Sequence, residues 1–227
     1  MRESERRFEV SGGAVSGIVT TAGDAAAATG TTVVLAHGAG SNMRNPLLGA
    51  LAADLAAHGV STVRFNFPYT QRGERVPDRA PILEACYRAV LEQVRADRDL
   101  RADRLVIGGK SMGGRMASHL AAAGERVQGL LFLGYPLHPA GKPDQLRAAH
   151  LSRISAPMLF LTGTRDALCR LDLLQSVLGG ITNATLYVIE DGDHSFAVRK
   201  RSGRDAAAVR QEIAQASVDW LNRTVGR

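Results

Sequence analysis

Three residues far apart in the sequence carry the chemistry: a serine in a glycine-rich turn, a histidine in an acidic loop and an aspartate just past an apolar run. The serine is Ser111, in Gly108-Gly109-Lys110-Ser111-Met112-Gly113-Gly114, directly after Leu105-Val106-Ile107. This is G-x-S-x-G with a strand pattern before it and a helix pattern after it, the context in which the motif forms a nucleophile elbow. A turn that sharp exposes the hydroxyl. Side chains two residues to either side would collide where strand and helix converge, and glycine at 109 and 113 leaves that space empty. Gly114 and Ala117 let the following helix lie close to the sheet, and its N-terminus sets positive dipole beside a developing oxyanion. Gly109-Lys110-Ser111 is also the tail of the phosphate-binding G-x-x-x-x-G-K-[ST] loop. That motif requires glycine at 104, where Arg104 stands, and residues 105–108 read as strand, so the phosphate reading fails. An incidental serine in a glycine-rich turn is the bland alternative, and the partners of Ser111 decide against it.

A serine hydroxyl needs a base, and the base needs an orienting acid. On a strand-helix fold with this elbow the order along the chain is serine, acid, histidine. Of six histidines, His194 follows the last strand pattern, in Glu190-Asp191-Gly192-Asp193-His194-Ser195-Phe196, where a glycine turn can present the imidazole at the sheet's edge. His37, His58 and His119 belong to the wrong elements for a base, and His150 lies in a helix or loop stretch. His37 reads as a structural hydrogen-bonding residue. Asp166 ends Phe160-Leu161-Thr162-Gly163-Thr164-Arg165-Asp166, just past the preceding strand. Asp191 and Asp193 are its rivals, but both stand so near His194 in sequence that reaching the Nδ1 side is awkward. Arg165 is expected to pair with a neighbouring carboxylate. Ser111, Asp166 and His194 are thus the candidate catalytic residues.

An early run, Val33-Val34-Leu35-Ala36, leads into His37-Gly38-Ala39-Gly40-Ser41, a small-residue loop of the type that supplies an oxyanion-hole N–H. The expected donors are the N–H groups of Ala39 and of Met112, the residue after the nucleophile. Phe67 and Tyr69 follow one strand end and Tyr135 and His138 another, so these four are the candidate walls of a substrate pocket. Plain core is as good an account of them. Lys110, Arg115 and His138 suit an anionic substrate and equally suit exposed positions.

The elements that must position these groups are short apolar runs alternating with amphipathic stretches. Strands are expected at Thr32–Leu35, Thr62–Asn66, Leu105–Gly108, Gly129–Leu133, Met158–Leu161 and Thr185–Ile189. From Pro81 a helix presents Leu83, Cys86, Tyr87, Val90, Leu91 and Val94 on one face, and near the C-terminus Val209, Ile213, Ala216 and Trp220 form another. Alternation of this kind predicts an α/β fold: a twisted, mostly parallel sheet with helices on both faces, whose functional groups gather at the carboxyl ends of the strands. Arg7–Val10 and Val15–Thr20 suggest a hairpin around Gly12-Gly13, an antiparallel edge, and Asp24–Thr29 a small-residue loop. One domain over 1–227, with 1–30 as edge hairpin and loop, is expected. Few residues separate the runs ending at Leu133 and starting at Met158, which leaves no room for a cap domain.

Composition narrows the function classes. The chain of 227 residues is 45% hydrophobic and 22% charged, ordinary for a globular protein large enough to bury a core. No run approaches a membrane span, and the N-terminus carries basic residues with no apolar stretch behind them, so neither a membrane nor a signal peptide is indicated. Cys86 and Cys169 match no zinc or redox spacing, and two isolated thiols fit a reducing compartment; the cytoplasm is the default location. The net charge of +6 is scattered. Its densest cluster, Arg199 to Arg204, has no interleaved aromatics, and a nucleic-acid role is not indicated.

The quoted segments, together with Arg64-Phe65-Asn66-Phe67-Pro68-Tyr69 and Gly134-Tyr135-Pro136-Leu137-His138-Pro139, resemble the small uncapped α/β-hydrolases related to dienelactone hydrolase. They are most similar to the group that includes the hydrolase-like domain of testis-expressed protein thirty and its bacterial counterparts. The resemblance spans most of the chain after residue 30 and implies the same triad positions on an α/β-hydrolase sheet. Dienelactone hydrolase carries a cysteine nucleophile where this chain has Ser111. The expected function is a serine hydrolase, of carboxylesterase or thioesterase type, acting on a small-molecule acyl substrate with no metal or organic cofactor. The competing reading is a non-catalytic scaffold on the same fold, and a complete Ser-His-Asp set speaks against it.

Overall fold

Apolar side chains alternate between the two faces of each central strand, and that alternation builds a sheet with a packed layer on either side. The computed structural model describes residues 1–22, 28–100 and 102–225. In β3 (Thr31–Ala36), Val33 and Leu35 join one core and Val34 and Ala36 the other. The same division holds for β5 (Arg104–Lys110), β6 (Gly129–Leu133) and β7 (Met158–Gly163): Val106, Leu131, Leu133, Leu159 and Leu161 pack on the first side. Ile107, Leu130, Phe132, Met158 and Phe160 pack on the second. Each such side chain, fully buried, contributes about 1.5–3 kcal/mol relative to exposure.

The remaining strands are β1 (Arg2–Val10), β2 (Gly13–Thr21), β4 (Ser61–Phe65) and β8 (Ala184–Ile189). The eight strands lie in the order β1-β2-β4-β3-β5-β6-β7-β8. β1 pairs antiparallel with β2 and β2 antiparallel with β4; every other pair is parallel. The N-terminal hairpin is longer than its apolar pattern predicts, because β1 carries Arg2, Glu3, Glu5, Arg6, Arg7 and Glu9 along an exposed edge. Charges there keep other chains from adding to the sheet. The edge is tied down by Arg64 of β4, only 3% exposed, which donates to Glu3 Oε2 at 2.7 Å and to Thr20 Oγ1 at 3.3 Å. The loop expected over Asp24–Thr29 lies outside the described residues as far as Ala27.

Helix α1 (Pro46–Ala57) and the C-terminal α6 (Ala206–Thr224) cover one face. Helices α3 (Ala80–Ala96), α4 (Met112–Ala122) and α5 (Leu171–Leu178) cover the other, and the single turn α2 (Pro68–Gln71) follows β4. The expected apolar faces of α3 and α6 are buried as read. Helix α1 begins where Asn45 accepts hydrogen bonds from the Leu47 and Leu48 N–H groups and Pro46 supplies a preset first turn. Between β6 and β7, residues 134–157 hold one short 3-10 turn, Leu151–Arg153, and no inserted cap. Cys86 and Cys169 are free and buried, and burial pushes both thiols up to about 12. Among the described residues no helix is long and apolar enough to cross a membrane.

Candidate active site

β5 sits in the middle of the sheet, and the chain leaves it through a turn with no room for side chains on either side of Ser111, at 109 and 113. Ser111 adopts φ 51° and ψ −115°, a conformation that costs a non-glycine residue about 1–3 kcal/mol and persists only where the surroundings enforce it. Here its N–H donates to Leu133 O at 3.0 Å, and its own carbonyl accepts from Arg115 N at 3.1 Å. A Cβ on Gly109, whose φ is +146°, would lie 2.1 Å from Ala36 O, and one on Gly113 would lie 2.2 Å from the same oxygen. The collision expected from the sequence is therefore with β3 itself.

Asp166 stands in the turn after β7 and His194 in the loop after β8. The two loops touch at Gly163, where a Cβ would come within 2.1 Å of Gly192 O. His194 Nε2 lies 2.9 Å from Ser111 Oγ. Its Nδ1 lies 2.9 Å from Asp166 Oδ1 and 2.8 Å from Oδ2. The Asp166 side chain is wholly buried, and Oδ1 also accepts the Leu168 N–H at 2.8 Å. A buried carboxylate on Nδ1 fixes the tautomer in which Nε2 is free to accept the serine proton. The three candidate catalytic residues are thus brought into one hydrogen-bonded chain.

The rival carboxylates are engaged elsewhere. Asp191 accepts from the Arg199 N–H at 2.7 Å and from Arg199 Nε at 2.5 Å, and these bonds hold its carboxyl down at about 2. Arg165 pairs with it as expected, 3.7 Å from Oδ2, and donates to the Asp191 carbonyl at 2.8 Å. Asp193 Oδ1 caps its own turn, accepting from Ser195 N and Ala197 N at 2.8 and 2.9 Å. Two cations of the basic cluster are engaged in the same way: Arg199 binds Asp191 and Arg204 binds Glu212.

The His37–Ser41 loop lies against the elbow. A Cβ on Gly38 would be 3.5 Å from Ser111 Cβ, and the next residue, Ala39, is exposed. Among the described residues neither the Ala39 nor the Met112 N–H has a backbone acceptor. His37 is structural: Nδ1 is 2.8 Å from Gly38 O, and Nε2 accepts the Phe67 N–H at 3.2 Å. Burial lowers its pKa to about 4, so the ring is neutral.

The four expected pocket residues are a correction. Phe67, Tyr69 and Tyr135 are 0% exposed and His138 only 2%, and all four face inward. Phe67 meets His37 and Phe65 edge-on, at 5.1 and 5.3 Å between ring centroids. Tyr69 OH is 3.5 Å from Gly38 O, and Tyr135 OH donates to Arg147 O at 2.9 Å. His138 Nε2 accepts the Arg170 N–H at 3.1 Å. Just past a strand end, an aromatic ring serves the core as readily as a pocket, and here the core takes them. Lys110 is not an exposed residue either: it is 8% exposed, and its Nζ donates to His194 O at 2.5 Å. Among the described residues no cluster of three or more histidine, cysteine or acidic side chains could hold a metal ion.

A family model described as an alpha/beta hydrolase domain matches residues 29–222. Among solved structures, an α/β serine hydrolase homologue from Coxiella burnetii is 20% identical with a TM-score of 0.75, over 95% of this chain and 98% of that one. An α/β serine hydrolase without a lid from Xanthomonas campestris is 24% identical with a TM-score of 0.75, over 97% and 95%. A dienelactone hydrolase from Anabaena variabilis is 20% identical with a TM-score of 0.74, over 98% of each chain. At these identities the likeness is one of fold.

Proposed function

The chain belongs to the α/β hydrolase domain family, and from that footing we propose that it is a single-domain serine hydrolase cleaving an ester or related acyl substrate, of carboxylesterase or thioesterase type. The observation that carries the reading is the hydrogen-bonded chain from Ser111 Oγ through the His194 imidazole to the buried Asp166 carboxylate, with 2.9 and 2.8 Å links. Ser111 Oγ attacks the substrate carbonyl while His194 Nε2 takes its proton. The negative charge that gathers on the carbonyl oxygen is held by the Ala39 and Met112 N–H groups, each typically worth about 3 kcal/mol in the transition state. Asp166 stabilises the imidazolium. His194 returns the proton to the leaving group, and the acyl group remains on Ser111. Water, deprotonated by the same imidazole, then attacks the acyl-enzyme and frees the acid. The absence of an inserted cap between β6 and β7 supports a small-molecule substrate reaching an open serine. Two buried free thiols are in keeping with the cytoplasm, the location we assign.

A fluorophosphonate probe tests the reading, since it labels only an activated serine. Labelling of the folded protein, lost in Ser111→Ala, is the expected result, together with turnover of at least one member of a series of nitrophenyl esters of increasing chain length. A folded protein that takes no label and turns over no ester refutes it, and a scaffold role would then stand.

A further inference from the structure

Ser111 is fixed by the sheet, but His194 rides on a loop that needs holding. That loop contains two non-glycine residues with left-handed backbone, Asp191 at φ 57° and Phe196 at φ 63°. Such residues hold their conformation only when neighbours enforce it. Arg199 binds Asp191 at the loop's outer side. At its inner side the bond comes from Lys110, the residue immediately before the serine, whose Nζ donates to His194 O at 2.5 Å.

We propose that Lys110 is a positioning residue for the reaction: its ammonium locks the loop carrying the His194 base to the strand carrying the Ser111 nucleophile. The inference rests on the serine-hydrolase reading and extends it to a residue outside the triad. Several elements converge on the ammonium. The carboxylates of Asp166 and Asp193 favour its charge, and the Phe196 ring lies 5.7 Å from Nζ. Just past β6, Gly134 at φ +63° leaves the space open: a Cβ there would lie 3.1 Å from Nζ, 3.2 Å from His194 O and 3.5 Å from Asp166 Oδ2. Burial pulls the lysine down to about 8, so it is charged at neutral pH. A buried cation is costly unless it is paired and hydrogen-bonded, and this one is placed between the acid and the base loops. A displacement of about 1 Å in a catalytic base can cost about a hundredfold in rate, so a partly relaxed loop should lose on the order of tenfold.

The test is Lys110→Met, similar in length but without donor or charge, beside Lys110→Arg, which keeps both. With a nitrophenyl ester, Lys110→Met should show kcat lower by about tenfold, KM little changed and part of the loss recovered in Lys110→Arg. A loss confined to kcat, with recovery in the charge-keeping variant, is a pattern that mere loosening of the fold would not produce. Folded Lys110→Met with wild-type kcat overturns the proposal. Should that variant fail to fold, Lys110→Gln, uncharged and shorter, is read by the same criteria. A wild-type protein with no turnover at all refutes the hydrolase reading instead. In that event the junction is read by NMR, through the downfield Nδ1 proton of the His194–Asp166 hydrogen bond. Loss of this signal in Lys110→Met and its retention in Lys110→Arg support the proposal; an unchanged signal in Lys110→Met overturns it.

Discussion

The carbonyl oxygen of Ala36 occupies the place where Gly113 would carry a side chain: a Cβ built there lies 2.2 Å from it. Neither partner can retreat. Ala36 ends β3, which is paired with β4 on one side and β5 on the other, and Gly113 lies in the first turn of α4, next to the backbone that bends Ser111. The geometry of Ser111, the proposed nucleophile, is therefore held by contact between a strand and a helix, and a single methyl group should disturb it.

Gly113→Ala should accordingly push α4 away from β3 and carry Ser111 Oγ out of line with His194. Overpacking of this kind costs about 1–3 kcal/mol, and a nucleophile displaced by about 1 Å loses about a hundredfold in rate. Thermal melting and the rate of fluorophosphonate labelling measure the two effects. Wild-type labelling in Gly113→Ala would show that the contact does not set the elbow.

A second prediction concerns Tyr87, whose fully buried hydroxyl bonds both central strands β3 and β5. It shares its proton between Val34 O at 2.7 Å and Gly108 O at 2.8 Å, and accepts the Gly108 N–H at 3.0 Å. Tyr87→Phe removes one hydroxyl and strands several polar partners at once. A loss of about 1–3 kcal/mol in urea unfolding is expected, with an unchanged m-value. A difference below about 0.5 kcal/mol would mean that the partners are satisfied without the hydroxyl.

Stability should also fall in mild acid, and the sign follows from His37. Burial holds its ring neutral down to about 4 in the folded chain, whereas the unfolded chain takes up a proton near 6.5. Between those values only the unfolded state gains the proton, so stability falls as pH drops from 6.5 towards 4 and is level above that window. The contribution is on the order of 3 kcal/mol. His150, lowered to about 4 by burial and by the nearby His119, acts in the same window and the same direction. Urea unfolding at pH 7 and pH 4.5 measures the slope. His37→Gln should flatten part of it, and a slope equal to that of the wild type would exclude His37 as its source.

How much of this could be read from residues alone differs from element to element. The meeting of Ser111, His194 and Asp166 was legible because its logic is ordinal: an elbow motif, then an acid past one strand, then a histidine past the next. The inner strands were legible because Val, Leu and Ile are packed on both faces. Helix α1 was not, since Leu47, Leu48, Leu51 and Leu55 stand among alanines that blur any polar face, and its start depends on the Asn45 cap. Phe67 and Tyr135 follow strand ends whether they face a substrate or the core, and only packing separates the two. Lys110 looked like a surface cation because the partners that bury it, Asp166, Asp193 and His194, lie more than fifty residues further along the chain.

The aspartates supply the sharpest discrimination, because three of them crowd one histidine and the geometry gives each a different task. Asp166 alone meets Nδ1, so Asp166→Asn should leave the fold intact and lower kcat by about a thousandfold or more, the asparagine favouring the wrong tautomer. Asp193 caps the turn that carries His194, and Asp193→Asn keeps an oxygen that can still accept the Ser195 and Ala197 N–H groups, so most of the activity should survive. Asp191 is held at about 2 by Arg199, and its carboxylate supports the fold above the ordinary carboxylate range and loses that support as pH falls from 3.8 towards 2. Asp191→Asn should therefore weaken the loop at neutral pH and leave stability less sensitive to acid in that window. Steady-state kinetics and acid unfolding of the three variants separate these tasks. A larger kcat loss in Asp193→Asn than in Asp166→Asn would move the orienting acid onto the histidine's own loop, and Asp166 would then be a buried structural carboxylate.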